Sequence, residues 1–201
     1  MAELNMLSDK SIRPEIIVFA GPNGSGKTTI TKMARTVGKY INADNIKSAM
    51  LCTDLEAAQI AENLRTTAIN NHDDFTFETV LSTDRNLKLL QHAQNEGYFI
   101  RGIYVLTSDP LVNIARINAR VALGGHDVPK DKVFQRYDRA LKLIPQLVEI
   151  CDVLHIYDNT LEPFRIFKKR KSVYFRWCNQ FWNEQAIEKL TGITCFSEYK
   201  Q

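Results

Sequence analysis

Eight consecutive residues near the start of the chain, Gly21-Pro-Asn-Gly-Ser-Gly-Lys-Thr28, have the spacing G-x-x-x-x-G-K-[ST]. Glycines let successive backbone N–H groups turn inward without a clash from Cβ. Those donors, with the positive end of a following helix, hold a polyphosphate. Gly21, Pro22, Asn23, Gly24, Ser25 and Gly26 thus read as the cradle, with Thr29 just inside the helix. Lys27 then reaches the β- and γ-phosphates, and the Thr28 hydroxyl can ligate the Mg2+ that travels with a nucleotide. A random chain of this length shows the pattern roughly once in a hundred. An apolar run precedes it and a helical pattern follows, as the mechanism requires. No N-K-x-D string of the guanine-reading kind is present, so ATP is the expected nucleotide.

What acts on the phosphate must come from other polar residues. Asp44 ends a short predicted strand, where a carboxylate can take a proton from an attacking hydroxyl, or can cap the next helix. Glu78 and Thr79 end another predicted strand, and Ser82 follows closely. These three could hydrogen-bond a sugar-like acceptor, or could cap the loop. The segment 111–123 is apolar nearly all round, with a narrow polar stripe of Asn113, Arg116 and Arg120, so it reads as a mostly buried helix. Two guanidiniums one turn apart on that stripe need anionic partners, and phosphate matches the planar fork. In the next helix Arg136 flanks the apolar face while Arg139 points away, so Arg136 is the better candidate to reach the site. Gly124-Gly125 between the two helices is flexible enough for a lid hinge, and His126 reads as a surface group rather than a catalyst. No apolar run followed by an Asp of the Walker-B kind is seen, which argues against a motor or transport ATPase.

The elements that must position these residues alternate between strand and helix. Residues 16–20 form a continuous apolar run suited to a strand buried on both faces. Strands are expected at 39–44, 74–78, 98–106 and 153–157, five in all. Helices are expected at 28–37, from the capping box Thr53-Asp-Leu-Glu56 to about 71, at 84–96, after Asp109-Pro110, and after Pro129, with Pro145 kinking or ending the last. Such alternation implies an α/β fold with a mostly parallel sheet covered on both faces. Residues 1–14 read as a tail, about 15–160 as the core of a single domain, and 161–201 as a basic and aromatic extension.

Composition sets outer bounds. With 201 residues, 44% hydrophobic and 24% charged, the chain is long enough for an unaided core and unlike a disordered one. No apolar run approaches the roughly 20 residues of a membrane helix, and the first ten residues lack a secretory pattern. Cys52, Cys151, Cys178 and Cys195 are scattered, which fits reduced thiols in a cytoplasmic protein rather than a disulfide or zinc framework. The net charge of +3 is uneven: residues 162–176 carry a local +5, leaving −2 elsewhere. Lys168-Lys-Arg-Lys171 among Phe164, Phe167, Tyr174, Phe175 and Trp177 could pair phosphates and stack bases of a single strand. The simpler reading is a solvated basic turn beside aromatics that cover the sheet edge, which makes nucleic acid an unlikely partner.

The strings AGPNGSGKTT (20–29), INAD (41–44), FTFETVLS (75–82), RINARVALGGHDVPKDKVFQRY (116–137) and VLHIYDN (153–159) together resemble the zeta toxin family in its short form. The resemblance implies a P-loop NTPase of the kinase type, a three-layer sandwich with central strand order 2-3-1-4-5. It implies transfer of the γ-phosphate of ATP to the amino sugar of UDP-N-acetylglucosamine, a nucleotide-sugar acceptor, with a small antitoxin protein as partner. On it, Lys27 would be the Walker lysine and Thr28 the magnesium ligand. Asp44 would be the base, Glu78 and Thr79 would contact the acceptor, and Arg116 or Arg120 would act on the γ-phosphate. Asp158 and Asn159 would lie near the adenine. This chain has Gly-Gly-His-Asp where longer members carry a second lid arginine, so Arg136 is the candidate substitute. A different sugar, an antibiotic or an RNA end remain alternative acceptors.

Overall fold

The computed structural model describes residues 13–125 and 127–198, so His126 and nearly all of the expected 1–14 tail lie outside the described residues. The apolar run after Pro14 forms β1 (Glu15–Ala20), with every residue but the first buried. It pairs in parallel with β3 (Phe75–Thr79) on one side and β4 (Phe99–Leu106) on the other. β2 (Lys39–Ile41) and β5 (Val153–Asp158) add parallel strands outside these. This is the expected mixed α/β core in the order β2-β3-β1-β4-β5.

The sheet does not stop at five strands. β6 (Phe164–Arg170) and β7 (Val173–Arg176) continue it antiparallel, giving seven. The basic run expected as a solvated turn therefore lies largely in a strand. The physical reason is visible at Lys169, which is 8% exposed. Its ammonium donates to the carbonyls of Val148 and, at 3.1 Å, of Glu149, near the end of α7 (Ile144–Ile150). A helix C-terminus has free carbonyls and partial negative charge, so it compensates the buried cation.

The main core lies on one sheet face, where Ile16, Val18, Phe75, Phe77, Ile100 and Leu154 meet α3 (Asp54–Asn71), α4 (Arg85–Asn95), α7 and α8 (Glu184–Thr191). The capping box that starts α3 is formed, with the Thr53 hydroxyl taking the Glu56 N–H and Glu56 taking the Thr53 N–H. Pro145 divides the expected last helix into α6 (Lys130–Lys142) and α7. α1 (Lys27–Met33) ends before the Gly38 expected to close it. Ala34 is already extended, and Val37 is held instead by the Thr76 hydroxyl, which bonds both its N–H and its carbonyl at 2.9 and 2.8 Å. Among the described residues no helix is long and apolar enough to cross a membrane.

Candidate active site

Ligands of an open parallel sheet gather outside the carboxyl ends of its strands. Here those ends open on a cavity of about 540 Å³, lined by the 23–29 loop and by side chains following β2 and β3 and from α3, α4 and α5 (Pro110–Ala122). Two glycines fix the loop's shape. Gly24 has φ +77, and a Cβ there would sit 2.5 Å from the Asn113 carbonyl of α5. Gly26 has φ +92 at the start of α1, against the side-chain amide of Asn159. No side chain caps α1, so its first N–H groups remain available to an anion.

Lys27 folds back to donate to the Pro22 carbonyl at 2.9 Å. Burial pulls its pKa down to about 8, opposed by the carboxylates of Glu78 and Asp44 and assisted by the nearby Arg120 charge. The neighbouring Thr28 hydroxyl donates to Glu78 at 3.2 Å, and the Tyr40 hydroxyl donates to the other Glu78 oxygen at 2.6 Å. Asn42 donates in turn to the Tyr40 oxygen at 3.2 Å. Burial, then the bond to Glu78, raises the Tyr40 phenol far above its ordinary value, so it stays a donor.

Asp44 lines the cavity, though not at a strand end as expected. β2 stops at Ile41, and Asn42 caps α2 (Ala43–Met50) by accepting from the Asp44 N–H at 2.8 Å. Asn42 is thus the cap, and Asp44 lies in the first helical turn. Thr79 also lines the cavity and accepts from the Leu81 N–H and from Asn86 Nδ2 at 3.0 and 2.7 Å. Ser82 does not reach the cavity. Leu81, with φ +54, turns its side chain into the core and sends the chain away.

The arginine helix differs from its expected burial. In α5 only Asn113, Ile114 and Ile117 are buried, while Leu111 is 59% exposed and Leu123, just beyond the helix, 90%. Ile114 and Ile117 form a small core with Val128 and Val133 that ties α5 to α6. That two-helix hairpin has too little apolar cover to be enclosed all round. Its polar stripe nevertheless faces the site. Arg116 and Arg120 line the cavity; one Arg116 nitrogen donates to the Thr160 carbonyl at 3.2 Å and the other is buried with no partner among the described residues. Arg136 donates to the Asn23 side chain at 3.4 Å, at the loop tip, whereas Arg139 is exposed. Asn113 donates to the Asn23 carbonyl at 2.7 Å.

Asp158 is already engaged within the protein. It is 2% exposed, and its oxygens accept from Thr160 and, at 2.8 Å, from Asn179. Asn159 instead braces the loop from behind by donating to the Ser25 carbonyl at 2.8 Å. Sequence reasoning missed Asn42, Arg65, Arg85 and Asn86 as cavity residues. Arg65 did leave a signal: it is a charge within the stripe Ala57, Ala61, Ala68 and Ile69 that α3 buries.

The arrangement suits a hard cation in part. The Thr28 and Glu78 oxygens are adjacent, and among the described residues no group of three acidic, histidine or cysteine side chains gathers. Magnesium keeps waters and phosphate oxygens in most of its shell and takes only one or two protein ligands, so this pair fits it.

A family model described as Zeta toxin matches residues 2–173. An uncharacterized protein of Haemophilus influenzae is 32% identical over 127 residues, which is 60% of this chain and 91% of that one. A structure from the PezAT chromosomal toxin–antitoxin system of Streptococcus pneumoniae aligns with a TM-score of 0.59 at 18% identity, over 98% of this chain and 84% of that one. The AvrRxo1-ORF1:AvrRxo1-ORF2 complex with sulphate ions aligns with a TM-score of 0.68 at 13% identity, over 94% of this chain and 67% of that one. At these identities the structural likenesses speak for the fold.

Proposed function

This chain belongs to the zeta toxin family, and on that premise we propose that it is an ATP-dependent kinase that transfers the γ-phosphoryl group to a sugar hydroxyl of a nucleotide sugar of the UDP-N-acetylglucosamine type. The observation that carries the proposal is that Lys27 and Asp44 line one cavity with Arg116 and Arg120. Those are the parts phosphoryl transfer needs: an electrophile clamp, a base and charge stabilisation.

The roles follow from chemistry. The loop N–H groups and Lys27 bind the phosphates. Thr28 and Glu78 would hold magnesium, which neutralises phosphate charge when bound. Asp44 accepts the proton of the attacking hydroxyl. Arg116 and Arg120 offer guanidiniums to the transferred group, and Arg136 steadies the loop through Asn23. ATP as the nucleotide is supported by a neighbour of the same fold, the AvrRxo1-ORF1:-ORF2 complex, having been solved with ATP. A regulatory antitoxin protein is part of the proposal, since the PezAT neighbour comes from a toxin–antitoxin system.

The test is transfer of labelled phosphate from ATP to UDP-N-acetylglucosamine by the full chain with magnesium. Formation of a phosphorylated sugar that requires Asp44 supports the reading. No labelled product from that sugar or from a metabolite extract would end it.

A further inference from the structure

Arg65 is a charge placed where α3 otherwise buries small apolar side chains. It is 8% exposed, its guanidinium lies over the Phe77 ring at 5.1 Å, and its Nε is buried with no hydrogen-bond partner among the described residues. Glu62 on the same helix favours the charge, yet its carboxylate is bound by Arg85 at 3.1 Å. A buried guanidinium with an idle donor destabilises a free protein. Arg65 nevertheless lines the same cavity as Lys27 and Asp44. Asn86, from α4, lines it too; its Nδ2 donates to Thr79, but its Oδ1 is buried with no partner among the described residues. Neither helix contributes to the phosphate-binding loop, so these two unused groups belong to whatever shares the cavity with the nucleotide.

We propose that Arg65 and Asn86 form an anion-recognition subsite for the acceptor, with Arg65 taking phosphate or carboxylate oxygens and Asn86 Oδ1 taking an adjacent N–H or O–H. The acceptor is then a negatively charged small molecule that also carries a polar hydrogen. Nucleoside diphosphate sugars and sugar phosphates qualify, while neutral sugars and cationic antibiotics do not. The acceptor role rests on the proposed kinase activity; the anion subsite does not.

The test is calorimetric binding to the full chain saturated with magnesium and a non-hydrolysable ATP analogue. The probes are UDP-N-acetylglucosamine, N-acetylglucosamine 1-phosphate and neutral N-acetylglucosamine. A charge-assisted contact predicts that Arg65→Gln weakens the phosphorylated probes by about tenfold or more and leaves the neutral sugar within about twofold. Arg65→Lys should recover part of the loss. Asn86→Asp, which changes little in shape, should weaken the same two probes by a similar factor through repulsion. Binding of only the nucleotide-linked probe would assign the anion to a diphosphate, and binding of both would assign it to any sugar phosphate. Wild-type protein that binds neither, or variants that bind both as tightly as wild type, would overturn the subsite. Labelled transfer from ATP is measured in parallel. Arg65-dependent binding without transfer would sink the kinase reading alone, and transfer indifferent to Arg65 would sink the subsite alone.

Discussion

Thr28, at the start of α1, donates its hydroxyl to the Glu78 carboxylate at the end of β3 across 3.2 Å. The strand beside β1 thus delivers an acid to the foot of the phosphate loop. No Walker-B run announces this acid in the sequence.

Replacing that acid by its amide removes a charge but little volume. Glu78→Gln is expected to raise the magnesium concentration needed for half-maximal ATP turnover by about tenfold or more, as losing a ligand or its orienting partner does elsewhere. A magnesium titration of turnover checks this, and an unshifted midpoint would remove Glu78 from the metal.

Asp44 sits in the first turn of α2 with its backbone N–H held by Asn42. Asp44→Asn keeps the helix and removes the base. Transfer should fall by roughly 10²- to 10⁴-fold, with ATP affinity within about threefold of wild type. Single-turnover transfer and equilibrium ATP binding measure the two effects separately.

The lowered pKa of Lys27, about 8, gives the free protein a pH signature. Below pH 8 the ammonium is present and binds phosphate. As pH rises through 8 it is lost, so binding must take up a proton and apparent ATP affinity drops, by about tenfold at pH 9. Lys27→Arg, charged throughout, should bind with no such slope between pH 7 and 9.

Arg136 reaches the loop tip and Arg139 does not. Arg136→Ala should reduce kcat/KM for ATP by about three- to tenfold, the worth of one modest hydrogen bond. Arg139→Ala should change it by less than about 1.5-fold, within the scatter of surface substitutions. Equal effects of the two would remove Arg136 from the site.

His155 supplies an acid limit to stability. Burial first, then the charges of Arg165, Lys168 and Arg101, lower its pKa to about 4. Unfolded, it titrates near 6.5, so between pH 6.5 and 4 the unfolded chain holds a proton the folded chain refuses. Stability should therefore fall as pH drops across that window, by up to about 3 kcal/mol. Urea unfolding of His155→Gln should show a flatter profile there.

The parts of the fold set by local chemistry were readable: the doubly apolar β1, the Thr53 box, Asp109-Pro110 and the Pro145 break. So was the phosphate loop, whose geometry is local. What escaped depends on distant partners. Lys169 is accommodated in a strand because the end of α7 meets it, and Val37, expected in α1, is held by Thr76 of the strand beside β2. Asp44 and Asp158 show the same limit at the site. Asp44 is not the cap, because Asn42 takes that place, and Asp158 bonds Thr160 and Asn179. The apolar circumference of α5 overstated its burial, because a helix in a small hairpin spreads apolar side chains that no second layer covers.

Asn113 holds the Asn23 carbonyl, and its own carbonyl leaves no room for a side chain on Gly24. The start of α5 and the tip of the phosphate loop consequently behave as one mechanical part. A change in the small core of Ile114, Val128 and Val133, packed behind the cavity-lining Ile117, is expected to alter nucleotide residence time, transmitted along the helix as through a lever.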